Sequence, residues 1–197
     1  VTQAAKPTQS RQRSARRKPV TPAVELDLSI EAPQWESWPG LEADCRLALD
    51  AALAVADRKV MAGAELALVL TDDAAIREVN RDWRGFDKPT NVLSFPGAPV
   101  ARLACSPHLG DVVVACETLM REAADEERPP RHHLIHLVIH GVLHCLGYDH
   151  ETPQEAHDME SRETRALAGL GIPDPYAGSD PVEAAPIREA AAPSAMD

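Results

Sequence analysis

The stretch His136-Leu137-Val138-Ile139-His140-Gly141-Val142-Leu143-His144-Cys145-Leu146-Gly147-Tyr148-Asp149-His150 decides how this chain is read. With Leu134 and Ile135 ahead of it, its apolar residues recur at helical spacing, so residues 131–146 are expected to form a helix packed into a core. Such a helix should not carry polar rings without partners, since each buried unpaired group costs about 1–3 kcal/mol. His140 and His144 are four positions apart, which stacks them on one helix face with Cβ atoms about 5–6 Å apart. Gly147 suits a left-handed helix end, and the reversal it permits brings His150 back towards the same point. Three neutral imidazoles suit one Zn²⁺, whose catalytic sites use three protein ligands and keep a position for water. His132 lies two turns before His140, about 12 Å along the axis, too far to share its ion. His136 has the spacing but no returning loop, so both are read as surface or supporting residues. His108, His133 and His157 have no partner spacing. Cys145 points about 100° away from His144 around the helix and is excluded as a fourth ligand. An open, reactive metal site is expected, not a closed structural one.

Outward from this helix, the remaining elements follow from local pattern. Val24 to Ile30 alternates apolar and polar residues, a half-buried strand. Leu41 to Arg58 is an Ala- and Leu-rich helix, and Glu65 to Leu70 a buried strand. Thr71-Asp72-Asp73 opens a helix running to about Trp83, with acids in its first turn. Residues 84–90 are a polar loop before a short strand from Asn91 to Phe95. After a loop holding Pro99, Pro107 and His108, Val112 to Ala115 reads as a central strand. Cys116 to Glu127 is helical and stops at Arg128-Pro129-Pro130. Thr152-Pro153 opens a last helix that ends near Gly169, with proline at its favoured first position. The order β-α-β-α-β-β-α-α-α implies an α/β fold of the α+β sandwich kind: a small mixed sheet with about five helices and a zincin-like metal helix.

The chain has 197 residues, 44% of them apolar, which suits one ordinary domain with a sizeable core. No run approaches the roughly 18 apolar residues of a membrane helix. A net charge of −11 argues against a general nucleic-acid coat protein. That average conceals a basic arm. Residues 1–23 carry Lys6, Arg11, Arg13, Arg16, Arg17 and Lys18 and no acid; removing these six from 20 leaves 14 basic against 31 acidic residues, a net of −17 on the rest. The arm is expected to be disordered and solvated, with an organelle transit peptide as the alternative. The ordered domain is expected over residues 24–176, and residues 177–197 form a loose Ala/Pro/acidic tail. Cys45, Cys105, Cys116 and Cys145 form no CxxC pair and are read as free thiols of a reducing cytoplasm.

The spacing H-x-x-x-H-x-x-G-x-x-H is that of the metzincin proteases, which carry a general-base Glu after the first histidine. Gly141 stands there instead, so a zincin-type peptidase would lack its base. The sequence resembles the YbeY family of rRNA-maturation endoribonucleases. The resemblance rests on His140-Gly141-Val142-Leu143-His144-Cys145-Leu146-Gly147-Tyr148-Asp149-His150 and on Arg84-Gly85-Phe86-Asp87-Lys88-Pro89-Thr90-Asn91-Val92-Leu93-Ser94-Phe95-Pro96. Gly110-Asp111-Val112-Val113-Val114 and Leu170-Gly171-Ile172-Pro173-Asp174-Pro175-Tyr176 add to it.

The resemblance implies a metal-dependent, single-strand-specific endoribonuclease that processes the 3′ end of small-subunit rRNA and serves ribosome quality control. It implies that His140, His144 and His150 hold one zinc ion. The implied partners are single-stranded rRNA, the small ribosomal subunit and its proteins, in the cytoplasm and with no membrane. The family's arginine falls on Arg84, whose guanidinium is shaped to clamp a phosphate; the competing assignment is a salt bridge to Asp82 or Asp87. Asp149 either orients an imidazole or caps the turn. No residue stands out as general base, which leaves room for a zinc-containing assembly factor that cuts nothing. Arg77, Arg81, Arg84 and Lys88 are expected to give the phosphate path its positive charge.

Overall fold

The computed structural model of the protein describes residues 24–177, so the expectations for the basic arm and for the tail beyond Ala177 lie outside the described residues. Four strands, β1 (Val24–Ile30), β2 (Ala64–Thr71), β3 (Val92–Pro96) and β4 (His108–Ala115), form one sheet in the order β1-β2-β4-β3. β1 and β4 run parallel to β2, and β3 pairs antiparallel with β4, so the sheet is mixed as expected. Five α-helices complete the domain: α1 (Leu41–Val55), α2 (Asp73–Arg84), α3 (Cys116–Asp125), α4 (Pro130–Cys145) and α5 (Pro153–Gly169). No helix among the described residues is long and apolar enough to cross a membrane.

Sequence explains the layering. β4 is the near-continuous apolar run Val112-Val113-Val114-Ala115, the pattern of a strand covered on both faces. Val112 and Val114 join the main core with Leu134, Val138 and Val142 of α4 and Leu49 of α1. Val113 and Ala115 meet Ile76 of α2 and Leu93 of β3 on the other face. α2 starts where Asp72 accepts a hydrogen bond from the Ala75 N–H, and α5 where Thr152 and Glu155 form a reciprocal capping box.

Two details depart from the sequence pattern. α1 stops at Val55, three residues before Arg58, and its last carbonyl, which has no partner within the helix, accepts from Arg162 and Arg165 of α5 at 2.8 and 3.0 Å. Within the loop that holds Pro99, Pro107 and His108, Val100–Cys105 is a short 3₁₀ helix with Leu103 buried, and β4 already begins at His108.

α4 lies unusually close to the sheet at Gly141. A Cβ there would meet the Val112 Cγ1 atom at 2.6 Å and the Ser94 Oγ at 3.1 Å. The place where a metzincin carries its glutamate is therefore filled by the sheet. We expect Gly141→Glu to confer no peptidase activity on casein and to lower stability by about 1–3 kcal/mol or more, the range for overpacked cores. A thermal melt checks this; an unchanged Tm would mean that α4 can lift off the sheet at no cost.

Candidate metal centre

α4 ends in a turn that builds the site. Gly147 has φ 79°, a left-handed value that L side chains rarely adopt. Its N–H donates to the His144 carbonyl at 2.8 Å and the Tyr148 N–H to the Leu143 carbonyl at 3.0 Å, the paired bonds of a Schellman motif. The chain thereby reverses, and His150 returns to the helix face that carries His140 and His144. One ring nitrogen from each of the three lies within 4.8 Å of the others. The ring centroids form a triangle of 4.6, 5.0 and 5.6 Å. The structure thus brings together all three histidines that the sequence singled out.

Protonation favours a cation at their centre. Burial, then the neighbouring His140 and His150, push the His144 imidazole down to about 3, so this ring is neutral at any physiological pH. His140 Nδ1 lies 2.8 Å from Glu163 Oε1, which fixes the tautomer with Nδ1–H donating to the carboxylate. Its Nε2 lone pair then faces His144 Nε2 at 3.1 Å. In the metal-free protein the neutral His144 ring can donate its Nε2–H to that lone pair, and a cation takes the place of this proton when both nitrogens turn their lone pairs to it. The donor set fits a metal ion, and its three imidazoles leave coordination positions for other groups.

Glu163, which sequence reasoning missed, supports this face. Its side chain is fully buried in α5 and its second oxygen, Oε2, lies 2.9 Å from His136 Nε2. The Tyr176 hydroxyl donates to the same oxygen. Burial by itself raises a carboxyl pKa, but the hydrogen bonds from His136 and His140 outweigh it and hold Glu163 well below the usual carboxylate range. Burial and the Glu163 charge together push the Tyr176 phenol far up, so it stays protonated as the donor. A signal did exist in the sequence. Met159, Glu163 and Leu167 are four apart, and the outer two are core residues, so an acid stood on the buried stripe of α5.

The other histidines sort as follows. His136 supports the centre through Glu163, as its spacing allowed. His133, left unassigned, is buried with Nε2 2.9 Å from Glu122. His108 pairs with Asp111 at 3.0 Å. Asp149 accepts from the His150 N–H at 2.8 Å and lies 3.8 Å from His144 Nδ1, so it caps the turn and makes no hydrogen bond to the imidazole. Cys145 turns to the sheet, near the carbonyls of Phe95 and Asp111, and burial pushes its thiol up to about 12. All four cysteines are free, as expected.

Arg84, the last residue of α2, lines one cleft with His140, His144, His150, Val92 and Asp149. Both competing partners are taken: Asp87 holds Arg77 through two bonds of 2.7 and 2.9 Å, and Asp82 holds Arg81 at 2.8 Å. Among the described residues Arg84 makes no ion pair. Of the four cations expected along the phosphate path, Arg77 and Arg81 pair with Asp87 and Asp82, Arg84 lines the cleft, and among the described residues neither Arg84 nor Lys88 makes an ion pair.

The model of the family described as Endoribonuclease YbeY matches residues 36–171. The chain belongs to the YbeY family. Proteins named Endoribonuclease YbeY resemble it over most of their length. The one from Azorhizobium caulinodans is 50% identical over 154 residues, covering 78% of this chain and 97% of that protein. Those from Nitrobacter hamburgensis and Rhodopseudomonas palustris are 52% and 51% identical over 164 residues, covering 81% and 82% of this chain and 84% and 94% of theirs. The family match spans the histidine turn, Arg84 and Glu163 alike, so the YbeY domain includes both the centre and its buried support.

Proposed function

We propose that the protein is a zinc-dependent endoribonuclease that cuts single-stranded rRNA in maturing the 3′ end of the small-subunit rRNA and in ribosome quality control. His140, His144 and His150 hold one Zn²⁺, and Arg84 takes a non-bridging phosphate oxygen through its guanidinium fork. The observation that carries this reading is the unpaired Arg84 in the same cleft as three converging imidazoles. When bound, the ion supplies Lewis-acid charge to a phosphodiester. The chain's own residues do the rest. Glu163 holds the His140 proton on Nδ1, and the Gly147 turn fixes where His150 points. Arg84 neutralises charge that builds on the phosphorus oxygens.

An acidic protein whose cleft is lined by one unpaired arginine holds RNA weakly by itself. This points to a substrate presented by the small ribosomal subunit and its proteins in the cytoplasm. The test compares the protein with Arg84→Ala on single-stranded RNA, duplex RNA and casein, each with and without a chelator. Cleavage of the single strand alone is expected, lost on chelation and restored by Zn²⁺. Arg84→Ala should lower kcat/KM by about 10²–10³, the usual effect of removing one charge-stabilising donor. Cleavage that survives chelation would refute the metal-dependent reading. An intact single strand with full zinc occupancy would favour an assembly factor that cuts nothing.

A further inference from the structure

Seven aromatic residues occur in the chain and all lie among the described residues. Five are buried or half-buried. The two left open to solvent are Trp83, 67% exposed, and Phe86, 50% exposed, and they flank Arg84. Large rings open to solvent on both sides of an arginine that lines a polar cleft mark a candidate contact surface.

The local sequence Trp83-Arg84-Gly85-Phe86-Asp87-Lys88 interleaves aromatic rings with the two unpaired cations. The segment is held rigidly. α2 is capped by Gly85, whose N–H donates to the Arg81 carbonyl at 3.0 Å, and buried Asn80 donates from Nδ2 to the Lys88 carbonyl at 2.8 Å. The double bond between Arg77 and Asp87 ties the far side of the turn back to the helix. The Trp83 ring meets Phe95 edge-on at 5.7 Å. Phe95 packs on the α2 face of β3, opposite its neighbours Ser94 and Pro96, which line the cleft, so the Trp83 ring lies across this edge strand from the cleft that Arg84 enters.

We propose that Trp83 and Phe86 form a base-stacking platform for unpaired nucleotides beside the cleft, with Arg84 and Lys88 taking the intervening phosphates. The inference rests on the reading of the cleft as an RNA site and adds the determinant of single-strand preference. Single strands present a base face and a phosphate at every nucleotide, which is the alternation displayed here. In a duplex the base faces are already stacked and cannot reach the rings. Because the turn is pre-formed, little ordering is lost on binding.

The test measures cleavage kinetics of the zinc-loaded full chain on an unpaired oligoribonucleotide, on the same strand with abasic sites, and on a duplex. Trp83→Ala and Phe86→Ala should each raise KM on the unpaired strand about 5- to 100-fold, the range for losing one stacked base, with kcat changing less. Trp83→Phe should restore most of the loss, as a second aromatic face would. On the abasic strand the alanine variants should match the parent. Melting temperatures should move little, since both rings are exposed.

Unchanged KM on the unpaired strand would overturn the platform and leave these rings to a protein partner. The same outcome follows from an equal loss on the abasic strand, or from Trp83→Phe behaving like alanine. Failure of the parent protein to cut any RNA would instead refute the proposed function, so the two failures are distinguishable.

Discussion

Replacing His144 by alanine is expected to remove the metal and to lower RNA cleavage at least about a thousandfold. A Lewis-acid charge is worth several kcal/mol of transition-state stabilisation, and each ~1.4 kcal/mol is tenfold in rate. The ring is the middle member of the triad: it is close to both His140 and His150, with centroids at 4.6 and 5.0 Å. Without it only two donors remain, too few for a stable site of the three-ligand kind. A metal count by mass spectrometry on untagged protein should fall from one ion per chain to a small fraction.

Stability separates this effect from misfolding. In the metal-free protein His144 is a neutral ring sharing one proton with His140 Nε2 at 3.1 Å, so its removal loses one hydrogen bond and the packing of one ring. The metal-free variant should therefore melt only a few degrees below the metal-free parent, as the loss of about 1–2 kcal/mol implies. The parent gains stability on adding zinc, by about 2.7 kcal/mol at a hundredfold excess over Kd, and the variant should not. Retained zinc together with a retained rate in His144→Ala would place the metal elsewhere.

Most of the fold was legible because its signals are local. The run Val112–Ala115 identified the covered central strand, Asp72 and Thr152 marked helix starts, and the element order matched the observed one. The metal triad was legible for the same reason, since four residues and then a glycine turn bring its rings together. What could not be read were pairings between distant residues. Asp82 and Asp87 lie two and three residues from Arg84, yet Asp82 pairs with its neighbour Arg81, and the turn at Gly85 brings Asp87 back to Arg77, ten residues away. The last carbonyl of α1 is capped by two arginines more than a hundred residues away. Glu163 was visible as an acid on an apolar stripe, but its purpose depends on where α5 crosses α4, which no local pattern contains.

That crossing makes Glu163 the second residue whose replacement should have a large effect. One carboxylate serves two buried rings, with Oε1 on His140 Nδ1 and Oε2 on His136 Nε2. Glu163→Ala leaves both rings and the Tyr176 hydroxyl without their acceptor. Removing one partner of such a buried set costs about 3–5 kcal/mol. At about 2–4 °C per kcal/mol for a domain of this size, Tm should fall by roughly 6–20 °C.

Glu163→Gln separates packing from positioning. It keeps the shape but supplies only one acceptor oxygen, so one ring must lose its bond or change tautomer. Where the amide nitrogen faces His140, the Nδ1–H is displaced and Nε2 no longer presents a lone pair. Zinc affinity should therefore weaken about 10- to 100-fold, as for other groups that orient a metal-bound histidine. Nitrogen-15 spectra of His140 should show the tautomer change in the metal-free protein, a readout that a purely structural role would not move. Glu163→Asp, one methylene shorter, reaches one ring at most and should not restore affinity. If Glu163→Gln binds zinc as tightly as the parent with the His140 tautomer intact, the carboxylate is a packing element. The orientation of the centre would then rest on the Gly147 turn alone.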